Sequence, residues 1–210
     1  MNKPIFTLVL ASSVSMMASH AYAVPFGGVE FPDGARSFAD TVISYSEGDG
    51  VGSGWRDPSA ALGAPDGEDV SLGKGGSLIL QFTDNSLTTS GDGSEDLWIF
   101  EVGPAVEAFN VGISTDNTSW IDLGDVSGQP TGIDIDSLAG VVSGAFYSFV
   151  RLTDVSPDES GFPFAEADID AVGAISSADP VEIPVPVPEP GTLALLGMGL
   201  AGLGLARRKN

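Results

Sequence analysis

The chain has 210 residues, 29 acidic against 8 basic side chains, no cysteine and one histidine. The absence of cysteine excludes disulfides, thiolate nucleophiles and zinc–thiolate sites, and a net charge of −21 makes nucleic acid and anionic lipid surfaces poor partners. The sole histidine, His20, lies in a segment expected to be removed, so imidazole-based triads and metal sites are excluded from the mature chain as well.

At the start, Met1-Asn2-Lys3 is a short basic region, Ile5 to Ala18 is mostly apolar, and Ala21-Tyr22-Ala23 is an A-x-A cleavage site. Residues 1–23 are therefore expected to be a cleaved secretory signal peptide. From Glu30 to Glu189 only Arg36, Arg56, Lys74 and Arg151 stand against all 29 acids, a net charge of −25 on the exported part. Such a surface either serves solubility or is neutralised in part by calcium, which is plentiful outside cells.

Residues 24–177 form the body, long enough for one domain with a proper core. Turn dipeptides recur through it: Asp33-Gly34, Asp49-Gly50, Asp66-Gly67, Asp92-Gly93 and Ser127-Gly128. Between them, strands are expected at Thr41–Tyr45, Ser77–Phe82, Leu97–Val102, Phe109–Ser114, Trp120–Leu123, Tyr147–Thr153 and Ile169–Ile175. Leu78, Leu80 and Phe82 alternate with Ser77, Ile79 and Gln81, as in a strand with one buried face. Few glycine-free stretches are long enough for a helix. The expected fold is all-β, an antiparallel β-sandwich.

Three acidic constellations follow in chain order. Asp92-Gly93-Ser94-Glu95-Asp96 places oxygens at alternate positions like the start of a calcium loop, but lacks the glycine and the closing glutamate of an EF-hand. Asp92 and Asp96 are candidate metal ligands; the alternative is a hydrated turn. Asp134 and Asp136 share a face if extended, but their surroundings suit a turn through Ser137-Leu138-Ala139 better, and no role is expected of them. Asp168 and Asp170 also share a face, ~7 Å apart, where two like charges are unfavourable unless one is solvated or a cation lies between them. They are the second pair of candidate metal ligands.

Three tryptophans could stack on sugars. Trp98 and Trp120 follow strand patterns and are expected in the core. Trp55 stands among Gly52, Ser53, Gly54 and Arg56 in what reads as a flexible loop, and is the candidate ligand-binding residue.

Residues 178–186 begin a proline-rich linker that continues to Pro190, with prolines at 180, 184, 186, 188 and 190. Proline removes backbone donors and favours an extended spacer of ~3.1 Å per residue. The tail, 187–210, reads Val-Pro-Glu-Pro-Gly, then an apolar run, then Arg207-Arg208-Lys209-Asn210. As a helix, 191–206 would be ~24 Å long, which snorkelling of Arg207 and Lys209 extends to a bilayer's width. This is an expected transmembrane helix, with its basic end held in the cytoplasm and the body outside the inner membrane.

In Pro188-Glu189-Pro190 and Arg207-Arg208 the tail resembles the PEP-CTERM sorting signal of Gram-negative bacteria. The resemblance implies an exosortase as partner, cleaving near the Pro-Glu-Pro and passing the protein to the outer surface or extracellular matrix. The body, from Val70-Ser71-Leu72-Gly73 through Ile99-Phe100-Glu101 and Ser114-x-Asp116…Trp120 to Ala167-Asp168-Ile169-Asp170-Ala171-Val172-Gly173, resembles galactose-binding-like, or discoidin-like, jelly-roll domains of bacterial cell surfaces. Asn117 stands where the hairpin of that family carries glycine, a departure Asn tolerates because it adopts positive φ. In those domains a structural calcium is often held near the ends of the first and last strands, which agrees with Asp168 and Asp170.

The expected function is a non-catalytic surface or matrix protein, a calcium-stabilised sandwich binding exopolysaccharide or another surface component. Two alternatives stand beside it. One is a carboxylate glycosidase or lyase using a pair such as Asp154 and Glu159; the other is a spacer without a ligand.

Overall fold

The computed structural model describes residues 24–155 and 166–181. The expected signal peptide, residues 156–165 and everything from 182 onward, including the expected membrane helix, lie outside the described residues. The chain divides into two units, Met1–Pro180 and Val181–Asn210, and the elements below belong to the first.

Thirteen strands are described: β1 (Val24–Phe26), β2 (Val29–Phe31), β3 (Thr41–Ser46), β4 (Val70–Ser71), β5 (Ser77–Gln81), β6 (Ser86–Leu87), β7 (Leu97–Val102), β8 (Ala108–Ser114), β9 (Ile121–Ser127), β10 (Thr131–Ile133), β11 (Phe149–Asp154), β12 (Asp168–Ala174) and β13 (Ser177–Ala178). The only helical turns among the described residues are short 3-10 turns at Gly34–Ser37 and Pro58–Ala61. All seven expected strands form, β7 with the expected bounds and the other six with ends shifted by one to four residues. The six that sequence did not indicate are two or three residues long, too short for a period of two to register.

Five strands pair in the order β3-β5-β11-β8-β9 and four in the order β10-β7-β12-β4, all antiparallel. Successive strands pass from one sheet to the other, as β7 to β8 and β11 to β12 do, which makes an antiparallel jelly-roll sandwich. The core is built by alternation. Leu78 and Leu80 of β5, Val150 and Leu152 of β11, and Val111 and Ile113 of β8 face Leu97, Ile99, Ile169 and Val172 of the other sheet, all fully buried. Phe82, just past β5, keeps the same inward face.

A second apolar cluster forms on the outside of the four-stranded sheet. Phe100 and Ala171, which alternate with the inward residues, meet Phe31 and Phe38 there. The β1–β2 hairpin and the turn after it thus cover that face, and Ala39 is bonded to β12 through its N–H to the Val172 carbonyl. Trp98 packs half-buried against this second cluster and Trp120 against neither, which corrects the expectation that both are core residues. The Trp120 ring instead lies 4.6 Å from the Arg151 guanidinium, a cation–π contact.

The β8–β9 hairpin has the geometry its residues suggest. Asn117 has φ +59°, and Asp116 accepts the N–H groups of Thr118 and Ser119 at 2.8 Å each.

Candidate functional site

Trp55 is 48 % exposed, but its loop is tied down rather than flexible. Its N–H donates to the Gly52 carbonyl and its own carbonyl accepts the Ser71 N–H, while Arg56 donates to the Val51 carbonyl and pairs with Glu47 at 3.3 Å. The indole lies over Gly52, where a Cβ would come within 2.8 Å of the ring. One short strand missed in the sequence completes the surroundings: β4 supplies Ser71, with Asp69 just before it, and pairs with β12, which supplies Asp168. Together with Gly103 and Pro104 these residues line a hollow of about 130 Å³ beside the indole. An aromatic face flanked by carboxylates and a hydroxyl is equipped for stacking an apolar ring face while accepting its hydroxyl protons.

The carboxylates here are disfavoured as anions. Burial pushes Asp168 up to about 6, against the Ser71 hydroxyl and with help from the charges of Asp69, Glu107 and Glu166. Burial and then the Asp170 charge raise Asp69. Deeper in, Glu101 occupies an inward position of β7, following Leu97 and Ile99, and is 2 % exposed. Burial, reinforced by Glu107, pushes its carboxyl up to about 9, and burial raises Glu107 too. Sequence reading passed over both. A charged residue continuing the inward alternation of a core strand was the available signal.

The four expected metal ligands are dispersed. Asp92 is exposed and accepts the Ser94 N–H in a turn, and hydrogen bonding from the Ser94 side chain and then its backbone holds the Asp92 carboxyl below the usual range. Asp170 sits at a β-bulge between Ile169 and Ala171 and accepts the N–H groups of Asp66 and Gly67 at 3.1 Å each, so both its oxygens pin a turn. The bulge breaks the regular alternation that would set it beside Asp168.

Asp96 alone joins a cluster, with the pair that sequence reading set aside. One oxygen each from Asp96, Asp134 and Asp136 lies within 4.8 Å of the others. Asp96 is buried and accepts the N–H groups of Ser90 and Ile135, and Asp136 Oδ2 accepts the Ser90 hydroxyl. Asp136 Oδ1 is buried and has no hydrogen-bond partner among the described residues. An all-oxygen donor set of three carboxylates fits a hard divalent cation.

Asp154, expected as one of a glycosidase pair, is 5 % exposed and accepts the N–H groups of Gly75 and Ala167. Its expected partner Glu159 lies outside the described residues. Among the described residues no helix is long and apolar enough to cross a membrane.

No curated protein sequence matches the chain. Among solved structures it is similar to the C-terminal domain of a chitobiase from Bacteroides fragilis, at 13 % identity and TM-score 0.42, over 67 % of this chain and 93 % of that one. It is similar also to CpGH89CBM32-6 produced by Clostridium perfringens, at 14 % identity and TM-score 0.37, over 66 % and 92 %. A truncated AlyQ with CBM32 and alginate lyase domains is similar at 12 % identity and TM-score 0.41, over 74 % of this chain and 37 % of that one. Residues 186–209 match the family described as the PEP-CTERM protein-sorting motif, and the tail of this chain carries that signal.

Proposed function

We propose that this chain is an exported, non-catalytic surface or matrix protein whose sandwich binds extracellular polysaccharide beside Trp55. The observation that carries the reading is the exposed, backbone-anchored Trp55 indole flanking the hollow formed with Asp69, Ser71 and Asp168. A ring presented by a tied loop loses little freedom on binding, which favours affinity. Trp55→Ala is expected to weaken retention on the producing strain's own exopolysaccharide at least tenfold while moving the melting temperature by less than about 2 °C. Unchanged retention, or a large loss of stability, would assign Trp55 to packing and favour a spacer without a ligand. The glycosidase alternative draws no support from Asp154, whose oxygens are engaged by backbone amides.

Sorting belongs to the same reading. The PEP-CTERM signal directs the chain to an exosortase at the inner membrane, with the apolar run 191–206 as a transient anchor. Replacing Pro188-Glu189-Pro190 by alanines is expected to leave an anchored, unprocessed form in the inner-membrane fraction. Release of a product of unchanged mass on a blot would defeat this. Calcium is the stabilising ion of the reading, held by Asp96, Asp134 and Asp136.

A further inference from the structure

The hollow beside Trp55 gathers negative charge. Asp69 Oδ2 is buried and meets no hydrogen-bond donor among the described residues. Burial disfavours the anion at both Asp69 and Asp168, and the charges that act most strongly on them are other carboxylates. These are Asp170 and Glu68 on Asp69, and Asp69, Glu107 and Glu166 on Asp168. Arg56, next to Trp55 in the chain, is committed to Glu47 and to the Val51 carbonyl.

This arrangement discriminates between sugars. A neutral ring seated on the indole strips water from both carboxylates and returns hydroxyl donors, but leaves their charges in place. An ammonium group supplies donors and the opposite charge together, and is also attracted by the indole face. A metal ion would need more ligands. Among the described residues the only three carboxylates close enough to share an ion are Asp96, Asp134 and Asp136, so the hollow offers a ring and two carboxylates rather than a metal cluster. Its volume of about 130 Å³ is small beside the ~300–1,000 Å³ of a usual ligand pocket, which suits one substituent-bearing edge of a sugar with the rest lying on the exposed indole. Gly103 lines it without a side chain, at φ +127°, where a Cβ would touch Asp168 Oδ2 at 3.4 Å. At longer range the net charge of −25 attracts polycations and repels uronates and sulfates.

We propose that the Trp55 hollow recognises an amino sugar with a free, protonated amine, so that the polysaccharide bound is cationic and incompletely N-acylated. The inference rests on the reading that this site binds polysaccharide, and adds the charge of the sugar. The indole takes the apolar ring face, and Asp69 Oδ2 and Asp168 accept the ammonium N–H donors. The Ser71 hydroxyl, bonded to Asp168, orients that carboxylate.

Isothermal titration of the full-length protein in mild detergent, with glucosamine oligomers and with the same oligomers N-acetylated, tests this. The amine form is expected to bind about tenfold tighter or more. Asp69→Asn/Asp168→Asn should cut that preference to about twofold or less, with each single substitution falling between. Trp55→Ala should weaken both oligomers. Asp122→Asn/Asp125→Asn removes as many charges from exposed positions of β9, on the other sheet, and should leave the preference unchanged. Asparagine relieves repulsion in the hollow, so the Asp69 and Asp168 variants are expected to melt no lower than the wild type. Equal affinity for the two oligomers would overturn the proposal, as would an equal loss from the β9 pair or no binding of the amine form. In each of these cases, retention on the strain's own exopolysaccharide that still depends on Trp55 leaves the polysaccharide reading standing.

Discussion

Replacing Glu101 by glutamine is expected to stabilise the chelator-treated domain by about 2–4 kcal/mol at pH 8 and to change little at pH 5. The folded state holds the Glu101 proton up to about pH 9, whereas an unfolded glutamic acid releases it near its ordinary value of 4.5. Between those values the native state binds more protons than the unfolded state, so stability falls as pH rises. Asp168, raised to about 6, adds in the same direction over the lower part of that window. Exposed carboxylates with lowered values, such as Asp57 and Asp92, act with the opposite sign only in more acid solution. Glutamine keeps the shape, carries no charge to bury, and can give its NH2 to Glu107, so it supplies permanently what the proton supplies in the wild type. Urea midpoints at pH 5 and pH 8 for both proteins measure the effect. A variant less stable than wild type at pH 8 would mean that Glu101 is held as a paired anion.

Phe38→Ala is expected to cost about 3–5 kcal/mol, the largest loss from a single truncation considered for this domain. Phe38 is fully buried, and its ring stands 5.1 Å from Phe26, 4.6 Å from Phe31 and 6.1 Å from Phe100. It also forms an isolated bridge with Gly173, where a Cβ would come within 2.8 Å of the Phe38 ring. The phenylalanine therefore fixes the β1–β2 hairpin to the outside of β12, and the cavity left by alanine cannot be filled by neighbours already in contact. Trp98→Ala is expected to cost less, because Trp98 is half-buried and its indole N–H finds no partner among the described residues. Denaturant unfolding measures both. A Phe38→Ala cost below ~1 kcal/mol would mean that the hairpin is dispensable to the sandwich.

Local chemistry was legible in the residues themselves. Leu78-x-Leu80-x-Phe82 announces its buried face because strand alternation has a period of two, and Ser114-x-Asp116-Asn117 announces its turn because serine, aspartate and asparagine satisfy backbone N–H groups or adopt positive φ locally. The sorting signal was legible for the same reason, since its Pro-Glu-Pro, apolar run and basic end are contiguous.

What needed the tertiary structure was convergence across distance. Asp96 meets Asp134 and Asp136 because the segment after β10 returns beside the start of β7, and no spacing rule joins residues some forty positions apart. Glu101 becomes anomalous only when β12 and the loop after β7 bury it against Glu107 and Asp168. Trp120 and Trp98 read alike as strand tryptophans, yet one stacks on Arg151 and the other on the hairpin cluster. Alternation along a strand says which side chains share a face, whereas pairing between sheets decides whether that face meets apolar core, another carboxylate or water.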